Sequence, residues 1–428
     1  SHRYGSGPPG QTCTSAGRPR PVDEHPSGSY LPGMRPPSCD IFIAGGGVIG
    51  SSIAYFLSAH PEAKSLRICV AERDPTYARS STALSVGGIR HQFSTPENIR
   101  LSLFSSDFIR EAGEILEVRG DRPDLAFQEE GYLFLASAAG REILGRNWAT
   151  QTRLGARIAV LERDALRTRF PWLNVSDLDA GTLGLEGEGW LDPYSLLQAF
   201  KLKAQDQGVT FLKDEVVEIS TKGRRVSDLT LSKAGKFSAG TMVNAAGPGA
   251  AALARLAGLQ DLPVYPRKRF VYRVRSSAQL PRCPLLIDPS GVYIRPEGDG
   301  FLCGVSPPKD RDPDTFDLDM EFDLFHDRVW PTLAHRIPDL DSLRLETSWA
   351  GHYAYNPLDQ NAILGPHPAL ENFLFANGFS GHGLQHAPGI GRGLSELILP
   401  GEYRTLDLRR FRFSRFSEAD LIQEENVV

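Results

Sequence analysis

One stretch of the chain combines residue types and spacing that suit a definite chemical task. Asp40–Ile41–Phe42–Ile43–Ala44 is a short β-rich run, and Gly45-x-Gly47-x-x-Gly50 follows it directly. An apolar helical pattern through Ala54, Tyr55 and Leu57 comes next, then a second apolar run, Ile68–Cys69–Val70–Ala71, ending at Glu72. Strand, glycine turn, helix, strand and acid in that order make the first βαβ unit of a dinucleotide-binding domain. Gly45 permits the tight turn, Gly47 lets backbone approach a pyrophosphate, and Gly50 lets helix and strand pack closely. The open N–H groups at the helix start, those of Val48 and Ile49 among them, face phosphates with the positive end of the helix dipole behind them. Glu72 is placed to accept a hydrogen bond from ribose hydroxyls.

A rival reading exists for the same residues. Ile41–Ala59 is nineteen residues without a charge, about the length of a membrane span. The glycines, the serines and the abrupt change from strand to helix pattern argue against a continuous bilayer helix.

Length and composition frame the rest. At 428 residues the chain can bury a large core in two or three domains, and 41% hydrophobic with 23% charged residues is ordinary globular composition. A net charge of −5 supplies no positive field for nucleic acid. The five cysteines are scattered, without a C-x-x-C, so neither a disulfide framework nor a zinc site is expected. Residues 1–38 hold eight prolines, six glycines and six serines, with Arg3, Arg18, Arg20 and Arg35 against only two acids. They read as a disordered lead-in whose Arg-rich composition hints at a mitochondrial transit region.

The elements that must position the cradle follow in order. A loop of small residues, Ser80–Ser81–Thr82–Ala83–Leu84–Ser85–Val86–Gly87–Gly88, suits backbone lying against a flat or charged ligand, or is a plain linker. Thr95, Pro96 and Glu97 read as N-cap, first helical residue and first-turn acid, and Asp192-Pro193 repeats the signature. Met242–Asn244 ends in Ala245–Ala246–Gly247, again bare backbone at a strand's carboxyl end. Residues 264–306 change to antiparallel strand patterns, followed by a Pro/Asp loop at 307–318, a helix over Glu321–His335 and a strand over Leu343–Tyr355. Phe373–Ala376 then leads into Asn377–Gly378–Phe379–Ser380–Gly381–His382–Gly383–Leu384. A helix is expected from about Pro388 to Ile398, with Gly389, Gly391 and Gly393 in its first turns as a second glycine-lined helix start. An NAD site needs no such closing element; a flavin does, because its reduced ring carries negative charge.

With these residues laid out, the chain resembles the D-amino-acid oxidase/sarcosine oxidase superfamily of FAD-dependent enzymes over about 39–400. Four ordered motifs carry the resemblance: Gly45/Gly47/Gly50 with Glu72, the loop Ser81–Arg90, Asn244–Gly247 and Gly378–Gly383. It implies an α/β fold in which a discontinuous, Rossmann-like FAD-binding domain (39–124, 186–255 and 357–428) holds an inserted α+β substrate domain (125–185 and 256–356) built on an antiparallel sheet. It also implies cofactor contacts from Arg73, Ser81, Thr82, Ser85, Gly87, Val217, Ala245, Ala246, Gly247, Gly378, Ser380, Gly381, His382, Gly383 and Leu384. The phrases "WAGHYAYNPLDQN", "NGFSGHGLQHAPGIGR", "FRFSRF" and "IQEEN" tie it more closely to a mitochondrial branch needed to assemble respiratory complex I. That implies a matrix-side protein at the inner membrane, peripherally associated at most, with complex I subunits or assembly intermediates as partners.

The superfamily moves a hydride from a C–N centre of an amine or amino acid to flavin N5. Such a site needs a cation for the substrate carboxylate, and a guanidinium binds one bidentately. Arg90, beside His91, and Arg295, in Tyr293–Ile294–Arg295–Pro296, are the candidates, each with a structural ion pair as the alternative. His352 and His382 are expected to line the cavity. Where relatives attach the flavin covalently the chain has Leu84 and Ala350–Gly351–His352–Tyr353, so FAD is expected to be non-covalent. Lysines that favour reaction with O2 are replaced by Leu302 and Gln385, which favours a dehydrogenase. The tail Arg409–Phe416 alternates basic and aromatic residues and reads as a packed terminal strand or a partner-facing edge.

Overall fold

A computed structural model describes residues 37–425. The lead-in and its transit-region reading therefore lie, but for the last two residues, outside the described part. Two eight-stranded sheets organise the chain.

The first sheet grows around Ser38–Ala44, which lies parallel to Ile68–Ala71 on one side and Gly235–Asn244 on the other. Thr210–Leu212 and Leu370–Asn377 extend it in parallel, and Ile363–His367 adds an antiparallel edge. A hairpin of Val216–Lys222 and Arg225–Leu231 joins Gly235–Asn244. Ile41 and Ile43 face one buried cluster, whereas Phe42 and Ala44 face another. Both faces are covered, which is why these strands read as unbroken apolar runs. Ile41–Ala59 thus divides between a strand and a 12-residue helix, Val48–Ala59. Among the described residues no helix is long and apolar enough to cross a membrane.

The helix expected from Pro388 instead spans Gly383–Ile398, with Pro388 inside it. Its glycines do not open a helix onto a ligand. A methyl at Gly391 would come within 2.7 Å of Phe56 and overlap Ser52, and one at Gly389 would come within 3.1 Å of Leu406 and overlap Leu101. They let the helix lie against Val48–Ala59 and Pro96–Ile115. Ser52 Oγ seals the contact by donating to the Ala387 carbonyl at 2.7 Å.

The second sheet runs, edge to edge, Arg344–Tyr355, Tyr265–Arg275, Gly300–Gly304, Tyr293–Glu297, Leu285–Ile287, Tyr132–Ala136, Ala180–Gly184 and Ile158–Glu162. It is antiparallel except where Leu285–Ile287 meets Tyr132–Ala136. Period-two alternation gives each face a separate task. Leu133, Leu135, Phe270, Tyr272, Leu286 and Ile294 pack beneath Val329 and Leu333. Tyr132, Phe134 and Tyr293 take the other face. The expected helix over Glu321–His335 is a π-helical turn, Phe325–Val329, followed by an α-helix, Trp330–Arg336. The Pro/Asp loop is strapped to the first half of Tyr265–Arg275, which Gly300–Gly304 does not reach. Arg267 meets Asp314 at 3.0 Å, Lys268 meets Asp317 at 2.8 Å, and Arg269 grips Asp312 at 2.7 and 3.1 Å.

The tail packs, but not as a strand: it forms 3-10 turns at Arg409–Phe411 and Phe413–Phe416. Arg415, fully buried, bonds fully enclosed Asp359 through two nitrogens at 2.8 and 2.9 Å. Thr95 sits at the N-cap of Pro96–Ile115 but its side chain does not cap. Glu424 gathers the residues of the helix start instead. One of its oxygens accepts from Ser94 N, and the other accepts from Thr95 Oγ1 at 3.0 Å and Asn98 Nδ2 at 3.2 Å.

Candidate active site

The glycine turn has the geometry its motif demands. Gly45 has φ +105°, and a methyl at Gly50 would overlap the Gly45 carbonyl and reach Ile43 at 3.3 Å. Thr82 Oγ1 accepts from Val48 N at 3.2 Å, while the N–H groups of Ile49 and Gly50 lie in the first helical turn, where no intrahelical acceptor exists. Glu72 braces the turn, accepting from Gly46 N at 2.9 Å and Asp74 N at 2.8 Å. Around this cradle the protein leaves room for a group it does not itself fill. A methyl at Gly47 would meet nothing nearer than Thr82 Oγ1 at 3.5 Å, and Gly247 and Gly249 have open space before them. The buried Tyr77 hydroxyl and Ser81 Oγ have no hydrogen-bond partner among the described residues. Orphaned donors beside open backbone at a helix start fit the phosphates and ribitol of FAD.

Other expected cofactor residues are placed with less direct roles. Ser85 Oγ accepts from Gly87 N at 3.2 Å, and Gly87, at φ +80°, lies so close to Leu191 that a methyl would overlap its carbonyl. Ala245 is buried and Ala246 half-buried at the end of Gly235–Asn244, with Ala246 N bonded to Asn244 Oδ1 at 3.2 Å. Val217 is 48% exposed, just past the carboxyl end of Thr210–Leu212. Arg73 lies at the surface, 3.6 Å from Glu215.

The turn at Gly378–Leu384 holds three left-handed residues, Gly378, Ser380 and Gly381. Ser380, a non-glycine at φ +50°, is held there by Ala354 O at 3.0 Å and by Asn356 N, which donates to its Oγ at 3.0 Å. A methyl at Gly381 would meet Tyr353 at 2.5 Å, and one at Gly383 would meet Phe379 at 3.3 Å. Leu384 is buried behind the turn.

Arg90 and His382, 292 residues apart, come together here: Arg90 Nη2 lies 3.3 Å from His382 Nε2. The guanidinium lies over the rings of Phe93 at 4.5 Å and Phe134 at 5.2 Å. Burial holds the His382 imidazole well below its ordinary value, with Arg90 and then His386 adding to it, so its Nε2 accepts from Arg90. His386, pushed to about 3 by burial and Arg90, bonds Ser102 Oγ at 3.0 Å. Gln385 points its carbonyl at Arg90 N at 2.9 Å.

Arg295 is equally buried but differently employed. Its Nε donates to Val86 O at 2.9 Å and its Nη1 to Pro296 O at 2.8 Å and to Glu297, with its guanidinium 5.5 Å from the Trp190 ring. It ties the second sheet to the small-residue loop. Leu302 is its cross-strand neighbour. His352 is not brought to Arg90 or His382. Gly351 meets Leu84 and Tyr353 meets Gly381, but His352 sits on the opposite face, its Nε2 3.1 Å from Asp317 O and its ring 6.0 Å from that of Phe316.

Several residues of this site carry no signature in the sequence. Tyr132, Tyr293 and Tyr353 wall it from the second sheet, and burial pushes the Tyr132 and Tyr293 hydroxyls well up, keeping them protonated. Glu188 is fully enclosed; burial pushes its carboxyl up to about 7 against the opposing pull of Gln92, His91 N and Arg90. The acid flanked by Gly187 and Gly189 was the available signal.

The chain is similar in sequence and fold to known proteins. The pattern of the family described as FAD dependent oxidoreductase (DAO) matches residues 40–397. The chain is 42% identical over 445 residues to FAD-dependent oxidoreductase domain-containing protein 1 of Xenopus laevis, covering 95% of this chain and 89% of that one. It is 30% identical over 383 residues to mitochondrial dimethylglycine dehydrogenase of Mus musculus, covering 84% of this chain and 42% of that one. Among solved structures, L-proline dehydrogenase from P. horikoshii superposes with a TM-score of 0.81 at 25% identity, covering 91% of this chain and all of that one.

Proposed function

The chain belongs to the DAO family of FAD dependent oxidoreductases, and from that premise we propose that it is a dehydrogenase of an amino acid or N-methyl amino acid. FAD is its cofactor, and when bound it supplies the acceptor for a hydride leaving a C–N centre.

The observation that carries the reading is the Arg90 arm: a buried guanidinium between two aromatic faces, beside a neutral imidazole, next to the glycine turn. A fixed fork in a dry, ring-lined space holds a carboxylate strongly. The arm orients the substrate, the Tyr132 and Tyr293 walls exclude water, and His382, held neutral, adds no second charge. Leu302 and Gln385 place no lysine at the positions that promote reaction with O2, which supports a dehydrogenase over an oxidase. Leu84 and Gly351 offer no nucleophile, which supports non-covalent FAD. Anaerobic titration of the FAD-loaded protein with amino acids and N-methyl amino acids should bleach its visible absorbance. A broad panel that produces no bleaching would sink the reading.

Arg295 favours a second reading. One of the two candidate cations is bound to Val86, Pro296 and Glu297, and what is left is a thinner set for catalysis. In that reading the protein carries FAD chiefly as structure and serves assembly of respiratory complex I on the matrix side of the mitochondrial inner membrane, with complex I subunits or assembly intermediates as partners. The resemblance in sequence supports it, and the mitochondrial relative supports its location alone. Cells carrying Arg90→Met with full FAD content separate the two: lost complex I with intact partner binding rejects the scaffold reading.

A further inference from the structure

Glu188 is a titratable group sealed inside the protein, and its carboxyl is held by the two residues after Arg90 and by the Tyr132 backbone. Its Oε1 accepts from His91 N at 2.7 Å and its Oε2 from Gln92 Nε2 at 2.8 Å. Gln92 Nε2 also donates to Tyr132 O at 3.0 Å, and Thr182 Oγ1 donates to Gln92 Oε1 at 2.7 Å. The carboxyl therefore links the Arg90 segment to two strands of the second sheet.

The backbone is cut back to admit it. A methyl at Gly184 would come within 2.9 Å of Glu188 Cγ and overlap its carboxyl, and one at Gly187, at φ +70°, would come within 2.5 Å of His91 Cε1. Gly189, at φ +151°, closes the turn onto Gln128, where a methyl would overlap the carbonyl oxygen. Gly184 thus makes room for the carboxyl itself, while Gly187 and Gly189 let the turn that carries it close on His91 and Gln128.

We propose that Glu188 is a positioning residue that aims the Arg90 guanidinium at a substrate carboxylate, a proposal that rests on Arg90 being the carboxylate-binding arm. The Arg90 N–H is fixed by Gln385 Oε1 and the next N–H, that of His91, by Glu188 Oε1. With both peptide planes flanking the Arg90 Cα held by side-chain acceptors, the direction in which its side chain leaves the backbone is set. Acceptors for N–H groups in an enclosed site are costly to lose, because no water replaces them. The elevation of the carboxyl to about 7 is the mark of that enclosure.

The test uses the FAD-loaded full chain and two anions, acetate and benzoate, with acetamide and benzamide as neutral counterparts. Binding is read as perturbation of the visible spectrum and by calorimetry. Glu188→Gln keeps shape but turns a donor toward a donor. The expected result is that its FAD content is unchanged, anion Kd rises about tenfold or more, and amide Kd stays within twofold. Arg90→Met abolishes anion binding, and Glu188→Gln adds nothing in that background. Anion Kd within twofold of wild type in Glu188→Gln, with Arg90→Met dead, overturns the positioning role alone. Anion binding intact in Arg90→Met overturns the Arg90 reading beneath it. Should Glu188→Gln fail to load FAD, Gln92→Met removes the donor to Glu188 Oε2 together with the bridge to Tyr132 and Thr182; a threefold or greater rise in anion Kd supports the proposal and no change rejects it.

Discussion

The two ends of the candidate site are built on opposite principles. The phosphate end is backbone: Gly45, Gly47 and Gly50 lie within six residues, and their task is to have no side chain. The candidate substrate end is side chains gathered from Arg90, Tyr132, Glu188, Tyr293 and His382, with Arg90 meeting His382 and Glu188 meeting Gln92 across long stretches of chain. Damage to the first end should therefore cost the cofactor and the fold together. Damage to the second should leave a yellow, folded protein that has lost its chemistry.

The sharpest way to break that contrast is Gly50→Ala. Its methyl meets backbone that cannot yield, so unfolding free energy should fall by about 3 kcal/mol and the purified protein should lack FAD. A stable, FAD-bearing Gly50→Ala would end the distinction. Next is Arg90→Met, where FAD content and thermal midpoint should hold within a few degrees while affinity for carboxylates drops about a hundredfold. Loss of FAD in this variant would show the two ends to be one unit. Leu302→Lys should then raise the rate of reoxidation by O2 about tenfold, by placing a cation beside Arg295; stopped-flow mixing with aerated buffer measures it. Arg73→Ala should do least, with FAD affinity within twofold, because that side chain is exposed and paired with Glu215 at the surface.

Acid should separate the ends as well. His91, held down to about 4 by burial, with His386 at about 3 and His382 lowered too, are neutral in the fold and protonate on unfolding once pH falls below 6.5. They contribute stability that is lost as pH falls from 6.5. Glu188 acts oppositely: raised from 4.5 to about 7, it binds its proton in the fold first, so its contribution grows as pH falls through that window. Glu188→Gln should accordingly show a steeper fall in thermal midpoint between pH 7 and 4.5 than the wild type.

The same contrast explains what was legible in the sequence. A backbone cradle requires glycine, so Gly45, Gly47 and Gly50 announce themselves, as does the left-handed turn around Gly381. But Gly389 and Gly391 look no different, and they serve helix packing against Leu101, Ser52 and Phe56. Glycine reports that something comes close, not what. In Tyr132–Leu133–Phe134–Leu135 both faces of the strand are apolar, so alternation is present but does not say which face meets the site. His352 was misplaced by one step of that alternation, since Gly351 and Tyr353 on either side of it do face the loop and the turn. The Arg90–His382 pairing spans 292 residues, and only the family resemblance, not local pattern, could have joined them.

The Glu424 contacts have a consequence in time. Its partners Ser94, Thr95 and Asn98 begin the helix just beyond Arg90, yet they await an acceptor 330 residues downstream of Ser94. At 5–20 residues per second a ribosome needs roughly 15 to 65 s to deliver it. The nascent chain therefore carries Gly45–Gly50 and Arg90 long before the contacts that tie down the helix start beyond Arg90 can form.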